Sequence, residues 1–108
     1  MSHESAPNIR TFSSFKEFYP YYLDEHRNTT CRRLHLCGSL LVLAVIATAV
    51  VTGHYQLLWC IPLIGYGFAW IGHFFFEHNK PATFKHPVYS FIGDWVMAKD
   101  MLTGRIPL

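Results

Sequence analysis

The sequence predicts an all-α fold, an integral-membrane hairpin of two transmembrane helices flanked by two amphipathic interfacial helices. Three observations predict it. Residues 34–76 contain no Asp, Glu, Lys or Arg, and all nine basic residues of the 108-residue chain lie outside that stretch. Within it, the polar break Gly53-His54-Tyr55-Gln56 separates two apolar runs. On either side of the pair, apolar residues recur at helical spacing. Charged residues make up 15% of the chain, well under the roughly 25% of ordinary globular chains.

Taken in order, residues 1–12 carry Pro7 and Asn8 without a hydrophobic period, so a flexible tail is expected there, with 13–108 as one domain. Ser14 followed by Glu17 has the form of a capping box and starts the first helix. Phe15, Phe18, Tyr22 and His26 fall on one stripe of it. Pro20 should kink or split this helix, which is expected to end near Arg27 and Asn28, with Thr29 or Thr30 capping the next.

Residues 36–52 and 55–76 form uncharged runs of 17 and 22 residues. A bilayer core of about 30 Å needs roughly 17–25 residues of helix. Two buried core helices of a soluble domain would read the same way, but so short a chain has little other sequence to cover them. Gly65, Ala69 and Gly72 leave a small-residue seam for close helix contact, which also makes a homo-oligomer plausible. A last helix is expected from Pro87, with Val88, Phe91, Ile92, Trp95 and Val96 as an apolar stripe for the membrane surface and Asp94 and Lys99 off it.

Arg27, Arg32 and Arg33 precede the first span, Lys80 and Lys85 follow the second, and the hairpin tip has no basic residue. The positive-inside rule then puts both termini on the cytoplasmic side, of a bacterial inner membrane or an endoplasmic reticulum. No basic patch points to nucleic acid. Three cysteines without a CxxC pair give neither a disulfide framework nor a zinc ribbon, and no cleaved signal is evident at the start.

The histidines carry the functional signal. A hairpin brings His35, at the entrance of the first span, and His73, near the exit of the second, to one membrane face; His26 precedes the first span by a short link. Glu77 lies one turn beyond His73 and could ligate a metal or orient an imidazole. His86 could approach the same face as a fourth ligand. Imidazoles without clustered thiolates suit iron, zinc, copper or nickel, and spacing does not choose among them. Three ligands leave positions open for substrate, as a catalytic site requires. Taken singly, each histidine also reads as a helix-end or interfacial residue. Arg32 and Arg33 read first as anchors and secondarily as partners for a substrate carboxylate. Other readings of the cluster are a zinc-dependent membrane hydrolase with Glu77 as general base, and a haem-binding or structural membrane protein.

Tyr22…His26-Arg27-Asn28…His35, followed by Gly65-Tyr66…Gly72-His73-Phe74-Phe75-Phe76-Glu77…Lys80-Pro81-Ala82, resembles the iron(II)-dependent 2-hydroxy fatty acid dioxygenases of phytosphingosine α-oxidation over about residues 12–95. The resemblance implies a multi-span membrane enzyme that uses Fe(2+) and O2 to shorten a 2-hydroxy fatty acid by one carbon. It implies His26, His35 and His73 as iron ligands; Glu77 and Asn28 match the motif and are candidate catalytic residues. The chain departs from eukaryotic members in having a single hairpin between the two motif blocks, and His86 lies outside the shared pattern. An apolar groove for the fatty tail is expected among Phe15, Phe18, Phe74, Phe75 and Trp95.

Overall fold

The computed structural model describes residues 11–80 and 85–108, and those residues are helical without strands. Most of the expected flexible tail and the Pro81-Ala82 part of the motif lie outside them. Helix α1 spans Phe15–Asp24 and α2 Thr29–Thr52. A 3-10 turn at Tyr55–Trp59 leads into α3, Cys60–Ile71, which continues as a π-helical turn, Gly72–Glu77. Helix α4 is Pro87–Leu102.

Helix α1 begins where the capping signal put it. The Ser14 side chain accepts from the Glu17 amide at 3.2 Å, while the Glu17 carboxylate reaches back to Ser13 rather than to Ser14. Pro20 does not split the helix. It lies on the exposed face, where the carbonyl it leaves without an amide partner can be solvated. The helix ends at Asp24, short of the expected Arg27, and Asn28 rather than a threonine caps α2 by accepting from the Cys31 amide at 3.1 Å. Helix α2 therefore starts before the uncharged run, and its 24 residues extend about 36 Å. Gly53 ends it in the left-handed conformation, φ 75°, which suits a residue without a Cβ.

Thr29–Thr52 and the continuous stretch Tyr55–Glu77 are both long and apolar enough to cross a membrane. They pack as an antiparallel pair along a stripe of Cys31, His35, Gly38, Val42 and Ala49. Much of the surface beyond that stripe is apolar and exposed, with Val51 83%, Leu63 78% and Trp59 85% exposed. The small-residue seam forms only in part. A Cβ on Gly72 would come within 2.8 Å of Cys31 Sγ, so that glycine permits the closest helix approach, whereas one on Gly65 would meet nothing within 4 Å.

Helix α4 folds back across the histidine end of the hairpin, against α1 and α2. Its inner face is Ser90, Gly93, Met97, Ala98, Asp100 and Met101, and Val88 and Phe91 of the expected stripe face outward. Phe18, Tyr22, Met97 and Met101 make the core between α1 and α4, with Phe12 packed on it. Tyr22 sets that spacing, since a Cβ on Gly93 would lie 3.0 Å from its ring.

Candidate metal centre

Three segments deliver one histidine each to a buried point. His26 follows α1, its amide bonded to the Leu23 carbonyl at 3.0 Å, and the Arg32 guanidinium donates to the His26 and Arg27 carbonyls, pinning the link between α1 and α2. His35 stands one turn beyond Cys31 on the inner stripe of α2. His73 belongs to the π-helical turn, whose wider winding is a frequent feature of functional sites. All three are buried, at 1%, 7% and 1% exposed.

Their hydrogen bonds fix the tautomers. His26 Nδ1 donates to the Tyr22 carbonyl at 2.6 Å, and His35 Nδ1 to the Cys31 carbonyl at 3.0 Å. His73 Nδ1 donates to Asn79 Oδ1 at 2.7 Å. Asn79 cannot be turned the other way, because its Nδ2 donates to the Glu25 carbonyl at 3.1 Å. With every Nδ1 a donor, every Nε2 presents a lone pair. Those lone pairs converge, His26 Nε2 lying 2.9 Å from His73 Nε2 and 3.2 Å from His35 Nε2.

Three acceptors facing one another repel unless a cation lies among them. A proton suits poorly, since burial, reinforced by His35 and His73, holds His26 well below the ordinary imidazole range. A metal ion suits well. Two imidazole nitrogens at about 2.1 Å from one ion, at angles of about 90–109°, sit roughly 3.0–3.4 Å apart. One ligand atom from each of the three histidines lies within 4.8 Å of the others, so the group could hold a metal ion. Each ligand's far nitrogen is tied to an oxygen acceptor, the usual outer support of metal-bound imidazole.

The remaining candidates lie around this centre rather than in it. The Glu77 carboxylate accepts from the Asn28 amide at 2.6 Å, and the Asn28 side chain caps α2, so the pair ties the end of the second span to the start of the first. His86 packs its ring on Phe12, Phe18 and Tyr21 and is not one of the three grouped histidines. Arg32 is bound to backbone as above, and Arg33 donates to the Leu108 carbonyl oxygen at 2.9 Å. His54 is exposed at the hairpin tip and His78 at the surface, with φ 61°. Cys31 Sγ is 3.8 Å from His35 Nδ1, a packing neighbour behind the ring.

Two residues escaped the sequence reading. Asn79 holds His73, but it does so across a left-handed turn at His78, where no periodicity rule applies. Asp94 accepts a hydrogen bond from the Tyr22 hydroxyl, and the Tyr22 ring stacks on His26 with centroids 4.1 Å apart. Burial lifts the Asp94 carboxyl to about 6, against the lowering effect of the Tyr22 hydroxyl.

A cleft of about 350 Å³ adjoins the centre, bounded by His35 and Asp94 at one end and lined by Val42, Ile61, Gly65 and Trp95. It replaces the aromatic groove expected from the sequence. Phe18 is fully buried in the core, Phe15 packs on Tyr19 and Tyr89, and Phe75 is 70% exposed; of the five residues named, only Trp95 lines the cleft.

No curated protein and no solved structure matches the chain significantly. The family model described as 2-hydroxy-palmitic acid dioxygenase Mpo1-like matches residues 12–106. That span holds α1, the hairpin, α4 and all three converging histidines, and the chain belongs to the 2-hydroxy-palmitic acid dioxygenase Mpo1-like family.

Proposed function

We propose that this chain is a membrane-embedded, iron(II)-dependent dioxygenase that converts a 2-hydroxy fatty acid and O2 into the fatty acid one carbon shorter. The observation that carries the reading is the convergence of three buried, lone-pair-bearing Nε2 atoms in a chain of this family. His26, His35 and His73 would hold the ion. Bound ferrous iron would supply dioxygen activation and a Lewis-acidic anchor for the hydroxyl and carboxylate of the substrate.

The stoichiometry is self-contained. Converting RCH(OH)COOH to RCOOH raises C2 from oxidation state 0 to +3, and release of C1 as carbon dioxide raises it from +3 to +4. Those four electrons are what one O2 accepts, with water as the balance, so no external reductant or 2-oxo acid is needed. The protein's own work is then positional. Tyr22, Cys31 and Asn79 fix the three imidazoles, and burial under α4 keeps bulk water from them. Three adjacent nitrogens facing one point favour a single ion over a bis-histidine haem.

The hairpin lies across the bilayer in this reading, with the centre and both termini at the cytoplasmic face, where the basic residues cluster. Anaerobic loading with ferrous iron, followed by oxygen uptake with 2-hydroxypalmitate, tests the proposal. Uptake should match carbon dioxide release one to one and be absent in His35→Ala. Turnover with zinc and no oxygen uptake would establish a hydrolase instead.

A further inference from the structure

We propose that the cleft between α2, α3 and α4 receives the acyl chain of the substrate, and that the open space over Gly65 sets the longest chain it accepts. The proposal rests on the 2-hydroxy acid reading above. The cleft begins at His35, so its polar end is continuous with the histidine centre, and among the described residues Asp94 is the one carboxylate that lines it. From there it follows Gly38, Ser39 and Val42 along α2, about 10 Å of helix, while α3 contributes Ala69, Gly65 and Ile61 in antiparallel step. One end is thus built for a chelating head and the rest for hydrocarbon. The volume, about 350 Å³, lies in the small-ligand range and is too small to seat a partner helix about 10 Å across.

Two glycines of the cleft have opposite duties. A Cβ on Gly38 would press on Phe68 Cβ at 3.1 Å, so Gly38 holds α2 against α3. A Cβ on Gly65 would meet nothing within 4 Å. A side chain at 65 therefore starts into open space rather than against a neighbouring helix, and leucine is also the better helix former.

The experiment compares Gly65→Leu with wild type, iron-loaded in lipid nanodiscs, across acids from 2-hydroxyoctanoate to 2-hydroxystearate. Displacing about three methylenes should lower kcat/KM for the long acids by about fiftyfold. The shortest acids and the iron content should not change. An equal loss at every length, or none at any, overturns the proposal. A second readout does not depend on turnover: a 2-hydroxypalmitate analogue with a terminal diazirine should label Val42, Ile61 or Phe68, and unlabelled 2-hydroxypalmitate should compete. Labelling confined to outward residues such as Leu40 and Val51, or labelling without competition, also overturns it. Competed labelling of the cleft in a protein that oxidises no acid would leave the groove standing and remove the dioxygenase reading.

Discussion

At one end of the hairpin His26, His35 and His73 are buried and hydrogen-bonded at every far nitrogen, with α1 and α4 folded over them. At the other end Val51 and Trp59 stand more than four-fifths exposed, and Ala49 is the last buried residue before the tip. The difference separates two sources of stability. The histidine end is covered by protein and depends on particular side chains. The tip end presents hydrocarbon outward, and in our reading lipid covers it.

Substitutions at the two ends should therefore fail in different ways. The largest effect belongs to the ligands: His26→Ala or His73→Ala should reduce bound iron and oxygen uptake to background while circular dichroism stays helical. Next, Leu63→Asp places a charge in the exposed middle of the second span. In a bilayer this should cost about 3 kcal/mol of insertion free energy, whereas at an exposed site of a soluble protein it would change stability by no more than about 0.5 kcal/mol. Normal recovery of Leu63→Asp in the aqueous fraction would show that lipid does not cover the second span.

Asn79→Ala should weaken iron affinity or activity by about 10–100-fold, through loss of the acceptor that orients His73. Asn79→Asp, which keeps that acceptor, should recover part of it; a titration of iron into each variant checks both. Gly72→Ala should lower thermal stability by about 1–3 kcal/mol, because its Cβ meets Cys31 Sγ, while Gly65→Ala should not lower it. Asp94 offers the smallest contrast. Its folded-state carboxyl, near 6, is raised above the ordinary 3.8, so the folded protein holds that proton more tightly than the unfolded chain. Stability from this group is full below about pH 4 and lost as pH rises to about 6, on the order of 1 kcal/mol once partial exposure is discounted. Metal-free Asp94→Asn should lack that decline in thermal melts taken across the same window.

The sequence made the convergence of the histidines legible because topology alone enforces it. An uncharged hairpin must bring His35 and His73 to one face, and the link from His26 to α2 is too short to reach elsewhere. The periodic stripe likewise marked Phe18 and Tyr22 as buried. What depended on the path of α4 was not legible. His86 turns to the aromatic core of α1 because α4 crosses that helix, and the same crossing closes the cleft at Trp95 and brings Asp94 to Tyr22. Glu77 and Asn28 were visible as motif residues, but their pairing across the hairpin ends is a backbone-to-carboxylate bond that no spacing rule encodes.

X-ray absorption at the iron edge decides whether the three Nε2 atoms form a single iron site. Anaerobically loaded protein should bind one ferrous ion per chain, with the scattering of three imidazoles, and the count should fall in His35→Ala. Iron bound with fewer imidazoles in the wild type, or an unchanged spectrum in that variant, would contradict the account.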